Sequence, residues 1–146
     1  MRVKLLHESA GLRTFAVVFD KGDETKAGLE SFARENDVTG ASLTAIGAFQ
    51  DTMLAYFDRE EKRYRDIPVD GQVEVLSLTG DIALHDDEPE LHAHVVVGKP
   101  DGTTAGGHLQ SGVVWPTLEV IVEETPAHLR KRVDEETGLA LIDPTA

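Results

Sequence analysis

The sequence contains no cysteine. That excludes disulfides and thiolate metal ligands, and it suits a reducing compartment. Long hydrophobic runs are missing too. No apolar stretch approaches the roughly 20 residues that span a bilayer, so no membrane partner is expected. The start, MRVKLLHESAG, has one short apolar patch and no small-residue cleavage pattern. No signal peptide is expected there, and the expected location is the cytoplasm.

Basic charge is also in short supply. Fourteen Lys and Arg face 27 Asp and Glu, for a net charge of -13. Nucleic-acid domains usually carry a basic stripe, and an acidic surface repels phosphate backbones. Here the densest basic groups, Arg59–Arg65 (REEKRYR) and Arg130–Arg132 (RKR), both lie beside acids. DNA is therefore an unfavoured partner. Adaptation to salt is one source of such charge, and an ordinary acidic surface is another. The glycine-rich stretches AGGH and VTGAS lack phosphate-loop spacing and its lysine. Ser77, in VLSLTG, has no nucleophile-elbow context.

The 146 residues suit one compact domain, 1–146, with no linker, repeat or low-complexity segment. Arg2–His7 and Arg13–Phe19 read as two strands. Leu29, Phe32 and Ala33 follow helical spacing, which predicts a helix from Glu24 to Asn36 with Asp23 as its N-cap. After Gly40 the pattern is β. Ala41–Phe49, Asp51–Asp58, Arg63–Val69, Val73–Leu84, Leu91–Val97, Ala105–Val114 and Thr117–Glu123 read as strands. Gly80 is a candidate bulge, and His85–Glu90 reads as a polar turn. The tail, HLRKRVDEETGLALID, fits strand, turn and strand, or one short helix. The fold class is α+β: a mainly antiparallel sheet with one helix or two. Val95–Val97 and Val120–Val122 are apolar on both faces, more than one helix can cover. That points to burial in an oligomer.

Within LHAHVVV, alternation puts His92 and His94 on one face, opposite Leu91, Ala93, Val95 and Val97. Such a pair can chelate one divalent ion. A third imidazole would complete a three-histidine site with an open position for water. His108 follows the KPDGT turn, and an antiparallel return would bring it beside His92 or His94. Gly106 and Gly107 permit close approach there. Histidines on a wet sheet face need no metal, and the spacing alone leaves that alternative open. Glu119, inside TLEVIVE, is the candidate catalytic carboxylate. Such a residue is a ligand, a general base, an outer partner or a surface group. Glu74 has the same readings. His85 beside Asp86 and Asp87 reads as solvated. His7 and His128 have no partners in sequence, and Trp115 reads as core or subunit-interface packing.

Taken in order, GQVEVLSLTGDIAL, LHAHVVVG, GGHLQSGVVWPTLEVIV and DEETGLAL resemble the plants-and-prokaryotes conserved domain, the PPC domain. The resemblance runs from about Arg13 to Leu141. It implies an α/β domain with a mainly antiparallel sheet that assembles as a homotrimer. In land plants the domain follows a DNA-binding AT-hook; in bacteria and archaea it usually stands alone. This chain has no Arg-Gly-Arg-Pro hook. Where the plant domain has Gly-Arg-Phe-Glu-Ile, it has Gly71, Gln72, Val73, Glu74 and Val75. A DNA-associated or regulatory module is thus the alternative reading. The fold is also similar to that of α-acetolactate decarboxylase, a zinc enzyme with a His-x-His pair and a third histidine downstream. That resemblance implies a zinc-like divalent cofactor on His92, His94 and His108, and a small-molecule ligand. It does not carry over the decarboxylase reaction, because its carboxylate and arginine groups have no match here.

Overall fold

The computed structural model describes residues 1–146. Its elements in chain order are β1 (Arg2–Ser9), β2 (Leu12–Phe19), α1 (Thr25–Glu35), β3 (Gly40–Asp58), β4 (Arg63–Val69) and β5 (Val73–His85). They continue with β6 (Glu88–Gly98), β7 (Thr104–Glu124), β8 (Lys131–Val133) and β9 (Ala140–Ile142). The α+β class holds, with one helix and an antiparallel sheet.

The single helix buries Leu29, Phe32 and Ala33, the residues its spacing picks out. Its cap differs from expectation. Glu24, not Asp23, is the N-cap, and its carboxylate accepts the Ala27 N–H at 2.7 Å. Asp23 is spent elsewhere: it accepts the Asp20 N–H at 2.9 Å and pairs with the N-terminal ammonium at 2.7 Å. The longer glutamate also reaches the Gly112 N–H of β7 at 3.2 Å. Buried Thr25 donates its hydroxyl to the Gly112 carbonyl at 2.8 Å. The first turn of α1 is thereby fastened to the middle of β7.

Seven strands run in the order β1-β2-β7-β6-β5-β3-β4, and a further β7–β3 pairing links the sheet back on itself. The pairings β3–β5, β5–β6, β6–β7 and β7–β3 form a closed circuit. Two strands are longer than the sequence suggests. Ala41–Phe49 and Asp51–Asp58 are halves of β3, which bends at register shifts on either side of Phe49. Its first half pairs with β5 and its second with β4. Ala105–Val114 and Thr117–Glu123 are likewise halves of β7. Pro116 lies where the ladder to β3 is interrupted, between Val114 and Leu118, so its missing N–H costs no bond there.

Gly80 is not a bulge. The β5–β6 ladder passes straight through it, and the extra residue lies at Leu76, between Val75 and Ser77. Gly80 serves close approach instead, because a Cβ there would strike the His92 carbonyl oxygen. The polar stretch after β5 is mostly strand. Only Asp86 and Asp87 turn, both with positive φ (51° and 64°), as a two-residue hairpin requires. The tail forms the strand–turn–strand alternative, β8–β9, anchored by the Leu84 N–H to the Leu129 carbonyl at 2.8 Å.

A continuous core of 26 buried residues joins α1 to the inner face of the sheet, with Phe15 edge-on to Phe32. The outer face exposes Ile46, Leu76, Val96 and Ile121. No helix is long and apolar enough to cross a membrane.

Candidate metal centre

The β6–β7 hairpin sets the histidines. Its turn closes with the Lys99 N–H on the Thr103 carbonyl at 2.8 Å. Pairing then runs Gly98 to Thr104, Val97 to Ala105, and so on to His94 opposite His108. Direct partners in an antiparallel pair share a face. His92 is two residues back on β6 and so points the same way. The burial of Leu91, Ala93, Val95 and Val97 confirms the alternation.

The three rings converge. Centroids lie 5.2 Å apart for His92 and His94, 5.4 Å for His92 and His108, and 5.7 Å for His94 and His108. One ring nitrogen from each falls within 4.8 Å of the others. Zn–N bonds of about 2.05 Å at tetrahedral angles need nitrogens roughly 3.3 Å apart, inside the 4.8 Å that bounds this cluster. The electrostatics favour the neutral form of His108 and His94. Desolvation, then the charge His92 and His94 would carry if protonated, pushes His108 down to about 4. Desolvation, then His92, also lowers His94. Neutral imidazole is the ligand form. His108 Nδ1 is moreover buried without a hydrogen-bond partner. A converging, incompletely satisfied set of imidazoles fits a divalent ion.

The surroundings hold these rings in place. Tyr64 stacks on His108 with centroids 4.6 Å apart, and Phe57 meets Tyr64 edge-on at 5.4 Å. Asp81 sits directly opposite His92 in the β5–β6 ladder, with Oδ2 3.6 Å from His92 Nδ1. Lys131 lies behind it, its side chain only 1% exposed. Its Nζ is 3.9 Å from Asp81 Oδ1 and 3.1 Å from Glu90 Oε1. Glu90 Oε2 then meets His85 Nδ1 at 2.8 Å. Burial alone would raise the Glu90 carboxyl, but His85 and Lys131 outweigh it and hold it below the usual range. A chain of polar contacts thus runs from His85 through Glu90, Lys131 and Asp81 to His92. A carboxylate behind a histidine is the usual outer support of a metal ligand.

Sequence reasoning missed Asp81 and Lys131. It also treated His85 as solvated, whereas His85 faces Glu90. The structure does not bring Glu119 to the histidines. Glu119 is exposed on the outer face, opposite Val18 and Ile46, and strand rise carries it roughly 35 Å along β7 from His108. Exposed Glu74 flanks the same shallow surface as Glu119. His7 is exposed on β1, and His128 Nδ1 lies 2.6 Å from the Thr39 hydroxyl. Trp115 has the Lys21 ammonium 5.8 Å from its ring.

Fold and site together define an α+β protein with a closed circuit of antiparallel strands and a three-histidine cluster able to hold an ion. The chain belongs to the Plants and Prokaryotes Conserved (PCC) domain family, whose sequence profile matches residues 6–126. A metal-containing protein from Archaeoglobus fulgidus is 31% identical, with a TM-score of 0.83, over 97% of this chain and 98% of that one. A plant- and prokaryote-conserved protein from Pyrococcus horikoshii is 30% identical, with a TM-score of 0.85, over 94% and 97%. Among curated proteins, the bifunctional protein GlmU of Synechococcus sp. (strain JA-3-3Ab) is 28% identical over 134 residues. Those residues are 89% of this chain but only 20% of GlmU. α-Acetolactate decarboxylase from Bacillus subtilis strain 168 shares the fold alone, at 15% identity and a TM-score of 0.54, over 86% of this chain and 58% of that one.

Proposed function

We propose that this protein binds a divalent metal ion, zinc-like in its preferences, through His92, His94 and His108, and that it acts on a small molecule at that ion. The observation that carries this reading is the convergence of three ring nitrogens within 4.8 Å on one sheet face. The metal content of the Archaeoglobus fulgidus relative supports it. Three protein ligands leave a coordination position open, and a bound ion there supplies Lewis acidity and an acidified water. The chain's own residues position the ligands: Asp81 backs His92, and Tyr64 covers His108. The cysteine-free sequence suits the cytoplasm. DNA recognition is disfavoured by the charge of -13 and the missing hook.

Metal analysis of the purified protein beside a His92→Ala/His94→Ala variant tests this. About one ion per chain is expected in the wild type and almost none in the variant. A chelator should lower the melting temperature of the wild type only. A wild type without metal, indifferent to chelator, would defeat the reading.

We further propose a homotrimer, with Ile46, Leu76, Val96 and Ile121 in its interfaces. These side chains are apolar and exposed in the single chain. Light scattering should give about three times the 15.9 kDa chain mass. A monomer mass at micromolar concentration would exclude the trimer.

A further inference from the structure

We propose that the cavity beside the three histidines binds a small carboxylate, its charged end on Lys26 and its carbon skeleton against the C-terminal hairpin. This rests on the metal reading for its other end. The cavity measures about 270 Å³, at the small end of ligand pockets. His92 and His108 line it. Lys26 of α1, Tyr64 of β4 and Gln110 of β7 also line it. Leu139 and Leu141 supply an apolar wall.

Charge selects the ligand. Acids outnumber bases nearly two to one in this chain, yet Lys26 enters none of its ion pairs. The one carboxylate lining the cavity, Glu90, is already held by His85 and Lys131. Lys26 therefore brings to the cavity a positive charge that no carboxylate of the chain pairs. A divalent ion would make the cavity more positive still. An anion is the complementary guest, and the leucine wall asks for carbon between its charge and the metal end.

The lysine's position is built in. Thr25 and Glu24 both bind Gly112, which fixes the turn carrying Lys26 beside the segment carrying Gln110 and His108. A solvated surface lysine needs no such anchoring.

Calorimetric titration of the zinc-loaded protein with propionate, butyrate and hexanoate, each beside its uncharged amide, tests the proposal. At least one acid is expected to bind about tenfold or more tighter than its amide. Lys26→Gln should weaken that acid about tenfold with zinc content unchanged, and Lys26→Arg should keep it within about threefold. Equal binding of acid and amide overturns the proposal. So does an unchanged acid affinity in Lys26→Gln, which would put the anion on the metal alone. Zinc content, measured on every sample, reports the metal reading separately. Absent zinc with Lys26-dependent binding intact would defeat that reading and support this one.

Discussion

His108→Ala is expected to weaken zinc binding by more than about 100-fold. Losing an outer hydrogen-bond partner of a metal ligand already costs about 10–100-fold, and this variant loses a ligand itself. The effect should be visible in stability. At zinc a thousandfold above the wild-type dissociation constant, binding stabilises the native state by about 4 kcal/mol. A 100-fold weaker site keeps only about 1.4 kcal/mol at the same concentration. For a chain of this size the difference is roughly 10 °C in melting temperature. The metal-free proteins should differ little at neutral pH. Alanine there removes a half-buried ring whose Nδ1 has no partner, so it loses packing but also relieves an unsatisfied group.

Acid separates the metal-free pair further. His108 sits at about 4 in the native state, below its ordinary 6.5. The unfolded chain therefore takes up the proton first, and the stability tied to the neutral ring is complete above 6.5. It is lost as the pH falls through about 4. Metal-free wild type should accordingly lose stability across that window, and His108→Ala should show a shallower slope. Denaturant melts at pH 7, 5.5 and 4.5 measure this. Parallel slopes would mean that the ring is not held neutral by its surroundings. The same depression keeps protons from competing with zinc for this ligand near neutrality.

How far the site could be read from sequence depends on which strand pairings are local. Alternation in LHAHVVV places His92 and His94 together without any tertiary information. The KPDGT turn goes further, because a hairpin centred on Asp101 reflects His94 onto His108, as observed. Asp81 was within reach of the same operation. The Asp86-Asp87 turn reflects His92 onto Asp81, but HDDEPE read as one long polar turn hid that register. Lys131 had no local signal, since it arrives from a separate hairpin that docks through Leu84 and Leu129. Glu119 is the converse case. Its apolar neighbours leave ligand, base, outer partner and surface group all open, and the fold decides by turning Leu118 and Val120 to the core and Glu119 outward. The sequence pattern breaks at Gln50 and at Trp115-Pro116, yet both lie within long strands, near places where the β3–β7 register shifts.

Lys131→Met is expected to destabilise the protein by about 3 kcal/mol. The substitution keeps the buried stem and removes the charge. Breaking a buried ion pair costs about 3–5 kcal/mol, because the remaining charge has no partner. Asp81 and Glu90 are partly exposed, so water recovers some of that and the lower end applies. Lys131→Arg should recover only part of the loss, since a larger guanidinium must enter a nearly closed site. The pH dependence identifies the cause. His85 and Lys131 hold the Glu90 carboxyl below its ordinary 4.5, so its contribution is full above that value and disappears as the pH falls through the lowered one. The gap between wild type and Lys131→Met should therefore narrow in acid, as protonation of Glu90 removes the charge that lacked a partner. Urea unfolding at pH 7 and pH 4 measures both effects. A constant gap would assign the loss to packing of the lysine stem. Zinc affinity should change by less than about tenfold in Lys131→Met, because Asp81 still stands behind His92. A larger fall would mean that Lys131 holds Asp81 in place, making the C-terminal hairpin part of the metal centre.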